Sequence, residues 1–178
     1  MSIPLPPVPA TPQAPLAGLA ELVRKNLPGV PFEAAATATD TDLHVAPEHL
    51  LALITGLKTR RELAFDYLRN IAGIDNQAEG LAVKYHLYSF RFGHALQITA
   101  TCTPLNAHVP SITGLYDAAN WHEREAAEMF GLVFDGHPNP KNLLLEEDLR
   151  IHPLLKAHPL QAAEILQGIE EGPPGFKF

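Results

Sequence analysis

Residues 80–103, GLAVKYHLYSFRFGHALQITATCT, decide the fold class. Leu81, Val83, Tyr85, Leu87 and Ser89 alternate with Ala82, Lys84, His86 and Tyr88, the two-residue period of a strand with one mostly apolar face. Residues 91–103 read as a second strand, and Phe92-Gly93 sits where an antiparallel hairpin would turn. Upstream, residues 30–46 read as two short strands with Asp40-Thr41-Asp42 between them. Before those, Leu16, Leu19, Val23 and Leu27 recur at helical spacing, and Pro28-Gly29 ends the run.

Between the two hairpins, Pro47 suits the first turn of a helix over APEHLLALITGL (46–57), which Gly56 is expected to interrupt. The stretch TRRELAFDYLRNIAGID (59–75) continues as a second helix. Leu63, Phe65, Leu68 and Ile71 form its apolar set and Gly73 its cap. The resulting order of helix, hairpin, helices, hairpin, helix predicts an α+β fold. It is a two-layer domain, a mostly antiparallel sheet with helices on one face, plus an extended Pro-rich C-terminal segment. The expected organisation is a Pro-rich disordered N-terminus over 1–15, an α+β domain over 16–131, and an extended partner-wrapping segment over 132–178.

Composition removes several function classes. The chain has 178 residues, a formal net charge of −7 and a pI near 5.7, so it has no basic stripe for nucleic acid or an anionic membrane. Cys102 is the single cysteine, too few for an intrachain disulfide or a cysteine-ligated iron–sulfur cluster. A reducing compartment follows. No run approaches the roughly 20 apolar residues of a transmembrane helix. The prolines of MSIPLPPVPATPQAPL argue against a signal peptide.

The densest chemistry lies in WHEREAAEMFGLVFDGHP (121–138). Asp117 is a candidate N-cap and Gly131 a candidate stop for its helix. Ala118, Ala119, Ala126, Met129 and Phe130 share one arc that also takes in His122, expected there as a packed, hydrogen-bonded imidazole. Glu123 and Glu125 border that arc. Arg124 and Glu128, four apart, are placed to pair. Periodicity alone reads an ordinary amphipathic helix with a solvated charged face. A zincin needs His-Glu-x-x-His, and Ala126 stands at the second position. Glu123 and Glu125 point about 200° apart and cannot flank one substrate bond. The pairs His137-Pro138, His152-Pro153 and His158-Pro159 offer three imidazoles, but proline holds each preceding residue extended, and docking turns are favoured over a metal site. No phosphate-binding glycine loop or nucleophile elbow occurs.

From Trp121 to Leu144 the sequence resembles the 30 kDa subunit family of respiratory complex I, known in bacteria as the C subunit of NADH-quinone oxidoreductase. The resemblance rests on Glu123-Arg124-Glu125, Glu128, Met129-Phe130, Gly131, FDGHP (134–138), Lys141 and Leu143-Leu144. FDYLRNIAGID and YHLYSF extend it upstream, so that it spans about residues 60 to 160. Family members usually close on His-Pro-Leu-Arg-Lys-Asp-Phe/Tyr-Pro-Leu. This chain has HPLLKAHPL (152–160), with Leu155, Ala157 and His158 at three altered positions and Lys156 kept.

The resemblance implies a non-redox subunit of the hydrophilic arm of an ion-translocating NADH:quinone oxidoreductase. Such a subunit has no active site of its own and lies peripherally on the cytoplasmic face of the cell membrane. It implies no catalytic, cofactor or metal residues here; FMN, iron–sulfur clusters and quinone belong to partner subunits. The chief partner is the large subunit that forms the quinone site. Docking residues implied are Trp121, Glu123, Arg124, Glu125, Glu128, Phe130, His137, Lys141, His152 and Lys156, with cationic partner residues opposite the glutamates. The same domain occurs in energy-converting membrane-bound nickel–iron hydrogenases and formate hydrogenlyases, where it is an equivalent scaffold and the partner holds the nickel–iron centre.

Overall fold

The computed structural model describes residues 18–37, 40–103, 105–146, 149 and 151–157. Helix α1 (Leu19–Asn26) leads into β1 (Glu33–Ala36) and β2 (Thr41–Val45), then α2 (Pro47–Thr59) and β3 (Tyr67–Asp75). The central hairpin is β4 (Leu81–Ser89) and β5 (His94–Thr101). Strand β6 (His108–Pro110), helix α3 (Ala119–Phe130) and β7 (Val133–Asp135) complete the described elements.

The main sheet has the order β1-β2-β5-β4-β3, antiparallel except where β2 runs parallel to β5. The hairpin pairs Ser89 with His94 and Val83 with Ala100, which confirms the turn at Phe92-Gly93. Leu43, Val45, Val83, Tyr85, Leu87, Leu96, Ile98 and Ala100 share one face and are buried with Leu50, Leu53, Ile54 and Leu57 of α2. Burying an aliphatic side chain contributes about 1.5–3 kcal/mol, so this layer is the main source of stability. The other face is polar. There Lys84 Nζ lies 2.9 Å from the buried Asp42 carboxylate, which also accepts the Thr99 hydroxyl. The fold is α+β, as the sequence predicts.

Three local expectations need correction. Residues 67–75 form a strand rather than a helix, with a bulge between Leu68 and Asn70. Across an ordinary strand, residues three apart face opposite ways; the extra residue at the bulge turns both Leu68 and Ile71 into the core and imitates a helical spacing. Gly73 therefore caps nothing. It lies in β3 under the Phe130 ring of α3, where an added Cβ would come within 2.3 Å of Phe130 Cδ2. Gly56 does not interrupt α2, which runs to Thr59; it lets Leu27 pack directly on the helix backbone. At α3, Ala118 rather than Asp117 occupies the N-cap, without a side-chain cap. Backbone turns such as Asn120 N–H to the Asp117 carbonyl, 3.2 Å, already occupy the first donors.

Past α3 the chain turns back. Strand β7 pairs parallel with β6, and the described residues of 137–157 then lie along α3 and the end of β3. Gly131 makes the reversal possible: its φ of +74° is left-handed backbone, and His152 lies where a Cβ would project, 2.9 Å from its Cδ2.

Candidate partner-docking site

Helix α3 buries Ala119, Glu123 and Ala126, with Phe130 half-buried, a stripe at helical spacing that places a carboxylate on the apolar side. Glu123 is fully buried. Its Oε1 accepts the Ile112 N–H at 2.7 Å, and its Oε2 accepts the Ser111 hydroxyl at 2.7 Å. Burial pushes the Glu123 carboxyl above its ordinary value, and the two donors offset part of that rise. His122 is half-buried and its imidazole makes no hydrogen bond among the described residues, so the hydrogen-bonded imidazole expected there is not found.

The buried imidazole is that of His137. Its Nδ1 accepts the Asn139 N–H at 3.0 Å, so the proton resides on Nε2, which donates to the Asn120 carbonyl at 3.2 Å. Burial lowers the His137 pKa, the Asn120 bond raises it, and the charge of Arg124 lowers it again. Glu123 Oε2 lies 3.9 Å from Nε2. A neutral ring beside a carboxyl with a raised pKa is a polar contact, not a strong ion pair.

Arg124 and Glu128, placed by their spacing to pair, bind the following loop instead. Arg124 Nε donates to the Lys141 carbonyl and Nη2 to the Asn142 carbonyl, each at 2.7 Å. Glu128 accepts the N–H groups of Leu143 at 2.8 Å, Leu144 at 3.0 Å and Leu145 at 3.3 Å. The physical reason is complementarity: a cation and an anion one turn apart meet consecutive carbonyls and consecutive amides of one loop. His152 Nδ1 donates to the Glu128 carbonyl at 2.8 Å, and the Leu154 N–H to the Met129 carbonyl at 3.1 Å. The Lys156 N–H bonds Asp75 at 2.8 Å, leaving its side chain at the exposed end.

A cavity of about 220 Å³ lies between α3 and this loop, lined by Glu123, Arg124, Glu128, His137, Lys141 and His152 among others. The structure thus brings six of the ten expected docking residues to one place. Trp121 (61% exposed) and Glu125 lie outward, and Phe130 packs on Gly73. His158 lies outside the described residues. Among those described, no group of three or more His, Cys, Asp or Glu side chains is arranged to hold a metal ion. No described helix is long and apolar enough to cross a membrane.

Glu123 and Glu128 are buried and hydrogen-bonded within this chain. Sequence reasoning missed Ser111, Ile112 and Asn120, which hold Glu123 and His137 through local polar groups that carry no motif. Three large apolar side chains of the loop remain in solvent: Leu144 at 65% exposure, Ile151 and Leu154.

Comparison with known proteins places this architecture. A chain of this fold occurs in a respiratory membrane complex. The fold matches a chain of the membrane-bound sulfane sulfur reductase, an archaeal respiratory membrane complex, with a TM-score of 0.70 at 19% identity over 89% of this chain and 95% of that one. It also matches a trypsin-resistant fragment of Nqo5, with a TM-score of 0.57 at 26% identity over 68% of this chain and 96% of the fragment. In sequence, residues 43–164 match the family model for the respiratory-chain NADH dehydrogenase 30 kDa subunit. The NADH-quinone oxidoreductase C subunit of Roseiflexus sp. strain RS-1 is 36% identical over 147 residues, 82% of this chain and 84% of that protein. That of Roseiflexus castenholzii is 38% identical over 128 residues, 71% of this chain and 74% of that protein. The chain belongs to the 30 kDa subunit family of respiratory NADH dehydrogenases.

Proposed function

We propose that the chain is a non-redox scaffold subunit in the peripheral arm of a complex I-like NADH:quinone oxidoreductase, on the cytoplasmic face of the membrane. It docks on the large subunit that forms the quinone site. FMN, iron–sulfur clusters and quinone are held by other subunits. The observation that carries this reading is the loop clamped on α3. Its backbone polar groups are taken up by Arg124 and Glu128, while Trp121, Leu144, Ile151 and Leu154 face outward. Large apolar side chains held in solvent on a clamped backbone are characteristic of a surface that a partner covers.

Docking thus falls to the outward residues, Trp121 with Glu125, Lys141 and Lys156 at the rim. Glu123, Glu128, His137 and His152 hold the surface in shape. Phe130 positions α3 on the sheet. Residues 132–178 remain the partner-facing segment in this reading, its described part pressed on α3.

Deleting the gene tests the assignment: the arm should fail to assemble and NADH:quinone activity should be lost. A fully assembled, active complex without the chain would overturn it. A second reading, the scaffold of a membrane-bound nickel–iron hydrogenase, rests on the altered residues Leu155, Ala157 and His158 in the 152–160 segment. NADH-binding flavoprotein subunits or a nickel-binding large subunit among the co-purified chains would separate the two.

A further inference from the structure

The end of the sheet away from the α3 loop carries a second unusual surface. Phe90 is 68% exposed, Tyr67 46% and Phe92 40%, all where β3 begins and the β4–β5 hairpin turns. The rings are mutually supported. Tyr67 and Phe90 lie 5.2 Å apart between centroids, and Tyr88 meets Phe90 edge-on at 5.4 Å. Two guanidiniums lie over them, Arg69 at 5.0 Å from the Tyr88 centroid and Arg91 at 5.2 Å from that of Phe92. Among the described residues neither arginine makes an ion pair or hydrogen bond, so both retain their donors.

Charge sets this end apart. The chain has an excess of acids, yet residues 60–69 and 88–94 hold four of its seven arginines against two carboxylates, Glu62 and Asp66. Asp66 already accepts the Phe90 N–H at 3.1 Å, which fixes the turn. Arginine on rigid aromatic rings matches the composition of protein interface cores. Rings braced against one another lose little further freedom on binding, which favours association.

We propose that this aromatic–arginine end is a second docking surface, and that its occupant is an acidic segment, bearing an apolar anchor, of another protein in the complex. Carboxylates of that segment pair with Arg69 and Arg91, and its anchor covers Phe90. Strand β3 runs nine residues from Tyr67 to Asp75, so Lys156, tied at Asp75, lies roughly 27 Å of strand from this end. The chain would bridge two neighbours rather than cap one. The inference rests on the scaffold role proposed above and goes beyond it.

The test uses the full chain in its native membrane complex, with Phe90→p-benzoylphenylalanine for photocross-linking and the same change at Trp121 in parallel. The expected result is a Phe90 cross-link to an Asp- or Glu-bearing segment of another subunit. With Arg69→Glu and Arg91→Glu together, that cross-link should fall at least about tenfold, as for the loss of desolvated charge pairs. The isolated variant should melt as the parent does, since both arginines are exposed. A cross-link to lipid alone, to residues 158–178 of the same chain alone, or none from Phe90 while Trp121 labels a subunit would each overturn this inference and leave the scaffold role standing. Failure of both positions to label any subunit would overturn the two together.

Discussion

The Glu123 carboxyl lies wholly inside the fold, on two hydrogen bonds of 2.7 Å. At the border of an apolar arc it looks solvated, yet the backbone of Ile112 and the hydroxyl of Ser111 allow it full burial. Its folded-state pKa is raised above the ordinary 4.5, so the folded chain holds this proton more tightly than the unfolded chain does. The stabilisation is therefore complete below about 4.5 and is lost as pH rises through the folded value. Glu123→Gln keeps an acceptor for Ile112 and carries no charge. Its stability relative to the parent should rise as pH increases from about 4.5 towards about 7, read as the difference in urea midpoint across that range. A constant difference would contradict the raised pKa. His137 and Ser111 were not legible in these roles, because each satisfies a neighbour through a contact that no residue spacing encodes.

The clamp on α3 decides the behaviour of the C-terminal loop. Glu128 holds three consecutive N–H groups and Arg124 two consecutive carbonyls, so the helix grips loop backbone and leaves the Leu144 side chain outward. Replacing Glu128 with Ala leaves those amides without their acceptor, at a cost of about 1–3 kcal/mol. Limited proteolysis should then cut between residues 140 and 150 well before the sheet unfolds. An unchanged digestion pattern would contradict the clamp. The β4–β5 hairpin was legible because alternation and turn residues agree along its whole length. Strand β3 was not: its bulge places Leu68 and Ile71 on one face, and Gly73, which resembles a cap, is an opening for Phe130. Helix α3 was legible with Ala119, Ala126 and Phe130 on its packed side, but the reading put His122 inside that arc and Glu123 at its border, whereas the structure buries Glu123. Strands β6 and β7 have three residues each, too short for a period to register.

The described residues form a sheet with one covered face, a helix that clamps its own following loop, and apolar side chains left outward on that loop. It belongs to the NADH dehydrogenase 30 kDa subunit family, and no described residues form a metal-holding cluster. The scaffold role proposed above gives those outward residues their use, against another chain of the complex. The most direct measurement is purification of the tagged full-length chain from gently solubilised membranes, with quantitative mass spectrometry of what accompanies it. A scaffold role predicts the other subunits of an NADH:quinone oxidoreductase in equimolar amounts, and their loss with the double variant Trp121→Asp and Leu144→Asp. A chain recovered alone, or a complex unaffected by those substitutions, would contradict it.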